Sequence, residues 1–208
     1  MRLFLIIYGN EHFQRKRSGG LLRNLKMMKL EDAETLVKRY IKTQNLLKHT
    51  YAVAAIMRAL AEHLNEDPES WELAGILHDL DYDETKNTPE MHGIRTVEIL
   101  KDYDIPDSVM NAIKAHNDRK KPENRFEYAI ICADNISGLL VACALVRPEK
   151  KISSLTPDFV TKKMKEPSFA KGANRESIAL HKYLGISQEE FFRISIEALS
   201  KITDRLGL

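Results

Sequence analysis

Apolar residues recur every three to four positions over most of the chain after residue 30, which is the spacing of one face of an α-helix. The clearest run begins at Leu46-Leu47, passes through Tyr51 and Met57, and ends at Leu64. Beta-branched alternation and hairpin dipeptides are nearly absent, so strands are not favoured. The pattern predicts an all-α bundle of about eight or nine helices, at roughly residues 31–42, 44–64, 69–80, 89–103, 107–116, 123–146, 157–165, 175–184 and 188–206.

Helix start and stop signals support several of these boundaries. Thr88-Pro89 and Thr156-Pro157 each place a capping residue before a proline in the first helical turn. Ser187 with Glu190 forms a capping box at the start of the last helix, and Gly185 is a plausible stop before it.

Composition narrows the classes of protein. Hydrophobic residues make up 43% of the 208 residues, which is enough for a core. With 32 Lys+Arg against 30 Asp+Glu the net charge is only +2, so we expect neither a nucleic-acid nor a membrane partner. Two cysteines make no disulfide framework, and no signal peptide or membrane span is recognised, so we expect a cytoplasmic protein.

The first 26 residues differ from the rest of the chain. They hold six Lys or Arg residues against Glu11 alone, and Met27-Met28 directly precede the first convincing helix. We therefore expect residues 1–26 to be an N-terminal extension and 27–208 to be the domain, and a true start downstream of this extension stays open as an alternative. Its chemistry should lie on helices at about 44–146, with C-terminal helices at about 157–206.

The stretch GILHDLDYDE, residues 75–84, points to chemistry. An apolar run stops abruptly at His78-Asp79, and Asp81, Asp83 and Glu84 follow within five residues. Taken alone, the pattern fits a helix end in a solvated loop as well as it fits a metal site. Asp81 and Asp83 are expected to be solvated or to support ligating histidines.

Neighbouring helices strengthen the metal interpretation, because each supplies one more His or Asp in mostly apolar sequence. A buried His or Asp costs several kcal/mol unless it is paired, hydrogen-bonded or bound to metal, and one shared cluster accounts for all of them. Imidazole and carboxylate without thiolate suit iron, manganese or zinc. The candidate ligands are His49, His78, Asp79, His92, His116 and Asp134.

Helical geometry adds detail around these candidates. At about 100° per residue, Ser137 and Gly138 share the face of Asp134, while Cys132 and Cys143 point away from it. Gly138 would leave open space for a substrate beside the carboxylate. Small residues at Ala74-Gly75 would let the helix that carries His49 approach closely.

These residues resemble the H…HD…D signature of the HD superfamily of metal-dependent phosphohydrolases, with His49, His78-Asp79 and Asp134 in order over about residues 44–146. The resemblance implies that these four bind one divalent metal. His92 and His116 resemble the extra histidines of two-metal members, which include HD-GYP proteins and HD-type diadenosine tetraphosphate hydrolases, with Asp79 as the bridge. One departure is Tyr82, which stands where many members have a phosphate-contacting lysine.

The resemblance implies an enzyme that hydrolyses a nucleotide or other small phosphoester with a metal-activated water, with His78, Asp79 and Asp134 catalytic. One or two divalent ions are expected, iron being the first guess. Two alternatives stay open. HD folds also host mixed-valent di-iron oxygenases, and nothing in the sequence firmly separates these from hydrolases. The second alternative is a non-catalytic nucleotide-binding regulatory module, and the full set of six candidate ligands argues against it.

A phosphate-binding cation must then come from elsewhere in the chain. The segment 165–176 holds Lys171, Asn174 and Arg175 at a predicted junction of loop and helix, where backbone N–H groups and an arginine fork suit an anion. The alternative is a capped loop with solvated cations. We also expect Gly138 to line the substrate site, His12, His63 and His181 to be surface or packing residues, and a homodimer to be possible.

Overall fold

The structure, a computed structural model, describes residues 27–208, and these are helical with no strand among them, which confirms the all-α prediction. The predicted extension lies outside the described residues, and the division of the chain at residue 27 stays a prediction. The α-helices of the described part are α1 Leu30–Tyr40, α2 Gln44–Leu64, α3 Pro68–Leu77, α4 Tyr82–Thr85, α5 Ile94–Leu100, α6 Asp107–His116, α7 Arg125–Leu145, α8 Pro157–Met164, α9 Arg175–Ala179, α10 Gln188–Ser200 and α11 Thr203–Leu206. Short 3-10 turns lie at Pro89–Met91, Ile152–Ser154 and Leu180–Leu184.

Three of the four capping signals mark observed boundaries. The side chains of Thr156 and Ser187 accept hydrogen bonds from the N–H groups of Phe159 and Glu190, and so begin α8 and α10. Gly185 takes the left-handed conformation, with φ of 80°, before α10.

The continuous helix predicted for residues 89–103 is wrong. Pro89–Met91 forms only a 3-10 turn, and α5 begins at Ile94. Between them Gly93 has a φ of 78°, a left-handed conformation that interrupts the helix and that only glycine adopts without strain. His92 therefore lies in a turn before α5 rather than in the first turn of a long helix.

Helix α2 lies at the centre of the bundle and packs against α3, α7 and α10. The approach of α3 is very close at Gly75, where a Cβ atom would stand 2.6 Å from the Cα of Ala54 in α2. This contact confirms the expected role of Gly75 in bringing the two helices together. A second contact, the ring of Trp71 stacked on Phe126 with centroids 5.2 Å apart, joins α3 to α7.

Substitution of Gly75 by alanine should therefore destabilise the protein. The new methyl group meets backbone atoms of α2 that cannot turn aside, so we expect a loss of about 2–3 kcal/mol and a fall in Tm of roughly 4–12 °C. Gly138→Ala is the matched control, because nothing lies within 4 Å of its Cβ position, and alanine there should stabilise α7 by up to about 1 kcal/mol. Thermal melts of both variants check this, and equal shifts would contradict it.

One helix among the described residues, α7, is long and apolar enough to cross a membrane by length and composition. In the bundle 61% of its most apolar window is buried, as in the core helix of a soluble protein, which passes the same test. Its apolar character is accounted for by its packing against α2, α6 and α9.

Candidate metal centre

Six polar side chains from five segments converge where α2, α3, α6 and α7 meet. Helix α3 ends at Leu77, so the next two residues leave the helix at its inner end and face the centre of the bundle. The others come from the middle of α2 and α7, from the turn before α5 and from the last residue of α6. The structure thus brings together His49, His78, Asp79, His92, His116 and Asp134.

Asp79 lies at the centre of this cluster, and its two oxygens face different pairs of histidines. Oδ2 lies 3.6 Å from Nε2 of His49 and 3.3 Å from Nε2 of His78. Oδ1 lies 3.3 Å from Nε2 of His92 and 3.4 Å from Nε2 of His116. The carboxylate therefore divides the cluster into two groups of donors and belongs to both.

Asp134 belongs to the first group only. Its Oδ1 lies 3.0 Å from Nε2 of His49 and 3.9 Å from Nε2 of His78. The first group can thus offer two imidazoles and two carboxylates, and the second can offer two imidazoles and the shared carboxylate. Each group has a triad whose donor atoms all lie within 4.8 Å of one another, a spacing that one ion can bridge.

Two of the histidines are fixed by carbonyl groups of their own helices. Nδ1 of His78 lies 2.8 Å from the carbonyl of Gly75, and Nδ1 of His116 lies 2.5 Å from that of Ile113. Both histidines stand at helix C-termini, where the last carbonyls have no partner within the helix. Because a carbonyl only accepts, Nδ1 carries a proton in either charge state, and Nε2 is the nitrogen that offers a lone pair to the cluster when the ring is neutral.

The other two histidines are fixed by side chains. Nδ1 of His92 lies 2.8 Å from the carboxylate of Asp81, which also accepts. Nδ1 of His49 lies 3.1 Å from Oγ of Ser137, whose own hydroxyl donates to the carbonyl of Asp134 and so leaves its oxygen free to accept. All four rings therefore present Nε2 to the cluster, as outer partners arrange histidines around metals.

Two of these Nε2 atoms are buried without a hydrogen-bond partner among residues 27–208, those of His78 and His116. An unsatisfied buried polar atom costs about 1–3 kcal/mol. Both of these nitrogens lie beside the carboxylate of Asp79. Imidazole nitrogens and carboxylate oxygens grouped in this way are the ligands that suit a divalent cation such as iron, manganese or zinc. The residues present therefore fit a metal site.

The charges within the cluster shift the pKa values of its side chains. Burial opposes charge on His78, but Asp79 outweighs it and raises the pKa of His78 to about 9. Burial is likewise outweighed at His92, where hydrogen bonds with Asp79 and Asp81 raise the pKa to about 9. Burial alone would raise the pKa of Asp79, but the positive charge of His78 and the other histidines close to the carboxylate hold it well below its usual range. A metal must therefore displace protons from His78 and His92 near neutral pH.

Asp81 is the buried support of the second group. Besides His92, its carboxylate accepts from the backbone N–H groups of Gly93 at 2.6 Å and Thr96 at 3.0 Å. These bonds outweigh burial and lower the pKa of Asp81. The contact with His92 agrees with the expected role of Asp81 as a support for a ligating histidine. Asp83 instead accepts from the N–H and hydroxyl of Thr43, and so fixes the start of α2.

The turn at His92 is held by the loop that follows α6. Asn117 donates a short hydrogen bond to the carbonyl of His92, and its side chain fills the space where a Cβ of residue 93 would stand. Arg119 donates to the carbonyl of Pro89 at 2.9 Å. The sequence offered no signal for this contact, because Asn117 looks like an ordinary residue after a helix.

The cluster opens into a cleft of about 490 Å³. His49 and Asp134 reach it with side chains that are 24% and 26% exposed, whereas the side chain of His116 is only 2% exposed and does not line the cleft. Tyr82 is 45% exposed and its ring meets that of His92 edge-on, with centroids 5.4 Å apart. The remaining lining residues are Thr43, Asn45, Leu46, Asp79, His92, Asn135, Gly138, Gly172 and Ala173.

The segment predicted to bind phosphate is only partly at this cleft. Gly172 lines it, but Lys171 does not, and Asn174 uses its side chain to cap α9. The guanidinium of Arg175 donates to the carbonyls of Phe169, Ala170 and Ala173 and holds that loop together. Binding of substrate by Lys171, Asn174 and Arg175 stays a prediction, and the contacts of Arg175 favour the structural alternative. Gly138 lines the cleft, as expected of it.

The chain is similar in sequence to known proteins. The family model of the HD domain matches residues 46–149. Ribonuclease Y of Aquifex aeolicus (strain VF5) is 31% identical over 179 residues, which are 81% of this chain and 31% of that protein. Ribonuclease Y of Aliarcobacter butzleri (strain RM4018) is 38% identical over 94 residues, covering 45% of this chain and 18% of that protein. No solved structure matches the chain significantly.

These relatives correct one prediction. Because they are named as ribonucleases, the expectation of no nucleic-acid partner, drawn from the small net charge, is wrong. The chain spans about a third or less of their length. Cytoplasmic localisation and a homodimer stay predictions. The matched residues include all six members of the cluster, and the chain belongs to the HD domain family.

Proposed function

We propose that this protein is a metal-dependent phosphodiesterase that hydrolyses RNA. The observation that carries the proposal is the division of Asp79 between two pairs of imidazoles, with Oδ2 toward His49 and His78 and Oδ1 toward His92 and His116. A carboxylate so placed suits a site for two divalent ions, an arrangement used to hydrolyse phosphoesters. His49, His78, Asp79 and Asp134 would hold one ion, and Asp79, His92 and His116 the other.

The relatives support both the reaction and the substrate. Proteins named Ribonuclease Y match up to 81% of the chain, which favours hydrolysis over the oxygenase alternative and RNA over the small phosphoester expected from the sequence. The complete set of six converging side chains also disfavours a degenerate regulatory module. No feature of the described residues favours iron over manganese or zinc, so the metal stays a prediction.

The chain's own residues would act in two ways, and bound ions would supply the remaining chemistry. The part-exposed His49 and Asp134 face the cleft, so a phosphodiester would enter from their side, above the buried His78 and His116. The partners of the four Nδ1 atoms hold the rings in place before substrate arrives, which lowers the cost of ordering the site. Bound divalent ions supply an activated water and positive charge at the phosphate.

Cleavage of a fluorescent single-stranded RNA by protein purified without chelators tests this proposal. We expect cleavage that a chelator abolishes and that manganese, iron or zinc restores. A DNA of the same sequence and a phosphomonoester, 4-nitrophenyl phosphate, are the matched comparisons. Absence of RNA cleavage with every metal would reject the proposal, and faster hydrolysis of the monoester would return the assignment to small phosphoesters.

A further inference from the structure

A second cavity, of about 310 Å³, lies beside the metal cleft between α2 and α7. Its α7 wall carries Gly138, Val141 and Leu145, at positions i, i+3 and i+7 of one helical face. Leu206 of α11 closes one side. The volume is at the small end of the range for small-molecule sites, about 300–1,000 Å³, so the cavity suits one ring system better than an extended chain. The other lining residues are Asn45, Lys48, His49, Ala52, Ser137 and Leu208.

The cavity and the metal cleft share one wall, the ring of His49. Nε2 of this ring faces Asp134 in the cluster, at 3.0 Å, while Nδ1 on the other edge meets Ser137, which lines the cavity. Asn45 and Gly138 also line both spaces. The two spaces approach each other at Gly138, because nothing lies within 4 Å of the position that a Cβ atom would take there.

We infer that this cavity binds the nucleobase of the nucleotide next to the phosphate that reacts at the metal centre. A phosphodiester held at His49 and Asp134 has its neighbouring nucleoside within reach across Gly138. Apolar side chains such as Val141 and Leu145 suit the faces of a base, and apolar contact is non-directional, so it tolerates any base. The inference rests on the proposed function, since it assumes a nucleotide phosphodiester as substrate.

Lys48 gives this cavity a feature that a purely apolar pocket lacks. It lines the cavity on the α2 side, one residue before His49, and pairs with no carboxylate among residues 27–208. A cation at that place suits the next phosphate along an RNA strand. The cavity thus combines an apolar floor with a positive edge, which is the chemistry of a nucleotide rather than of a lipid or an apolar peptide.

The test compares Leu145→Glu with Val146→Glu. Both residues are exposed, at 52% and 55%, and they are neighbours at the end of α7, but only Leu145 lines the cavity. The substrates are the diribonucleotide ApA and an analogue in which both adenines are replaced by hydrogen. We expect wild type to prefer ApA by about tenfold in kcat/KM, the size of the effect of burying part of a base against apolar side chains. Leu145→Glu should lose that preference, and Val146→Glu should keep it.

Binding of adenosine to the metal-loaded proteins, followed by NMR, separates this inference from the proposed function. Binding lost only in Leu145→Glu supports the cavity, even if neither diester is hydrolysed and the proposed function fails. Equal binding of adenosine to both variants, or equal rates of wild type on ApA and the base-free diester, would overturn the inference while leaving RNA hydrolysis intact.

Discussion

Replacing Asp79 by asparagine should remove nearly all metal and activity from a protein that still folds. Each oxygen of this carboxylate serves one pair of histidines, at 3.3–3.6 Å from their Nε2 atoms. An amide of the same shape offers one neutral oxygen and an N–H₂ group, which repels a cation and cannot bridge two. Metal content should fall from about two ions per chain to fewer than one.

The loss of rate should be large, because bound ions contribute several kcal/mol to the reaction at phosphorus and each 1.36 kcal/mol is tenfold. We expect RNA cleavage to fall on the order of 10³-fold or more. Metal analysis and single-turnover cleavage measure the two effects. Asp118→Asn is the matched control, since Asp118 is exposed in the left-handed conformation, with φ of 63°, that asparagine also tolerates.

A circular-dichroism melt distinguishes loss of metal from loss of fold. Without the carboxylate, His78 and His92 lose the neighbour that raises their pKa values to about 9. The rings can then stay neutral in their buried positions, so the helical bundle should persist. An Asp79→Asn protein with wild-type metal content and rate would exclude Asp79 from the centre of the site.

The sequence indicated most members of the cluster, because they are polar side chains within or directly after apolar helical segments. Helical period alone places His49 on the inner face of α2 and Asp134 on that of α7. The packing role of Gly75 was also predictable, because glycine inside a helix usually has a packing reason. The reason here is the close approach of α2, since a Cβ at position 75 would stand 2.6 Å from the Cα of Ala54. These features depend on local pattern, which a single sequence contains.

Features that depend on contacts distant in the chain were not predicted. The Thr88-Pro89 signal is typical of a helix start, but the turn at Gly93 fits the side chain of Asn117 and breaks the helix. Arg175 looked like a phosphate ligand, yet it is occupied by carbonyls of a loop whose fold the sequence did not reveal. Neither outcome follows from propensity, because tertiary contacts decide both.

The wrong prediction about nucleic acid has a different cause. A net charge of +2 was used to exclude such a partner, but that sum describes long-range attraction over the whole surface. A substrate phosphate recognised at a metal centre needs charge at one point only. The six residues of the cluster include no Lys or Arg. The overall composition therefore could not reveal the site.

The second group of donors should bind its own ion. Substitution of His92 and His116 by alanine removes both imidazoles that face Oδ1 of Asp79 and leaves the three other residues of the first group unchanged. We expect metal content to fall from about two ions per chain to one, and RNA cleavage to fall about 100-fold or more, because one ion can no longer stabilise both the attacking and the leaving oxygen. Metal counting on the single and double variants measures the first effect.

Two further variants make this prediction specific to the second group. His63→Ala is the control, because His63 pairs with Glu190 at 3.2 Å on another face of α2 and should not affect metal content. Asp81→Asn keeps both imidazoles but weakens the support of His92, so it should lower the affinity of one ion by about 10- to 100-fold and leave the other unchanged. If the His92→Ala, His116→Ala double variant retains the wild-type metal content, these histidines contact substrate instead, and the protein is a one-metal member of its family.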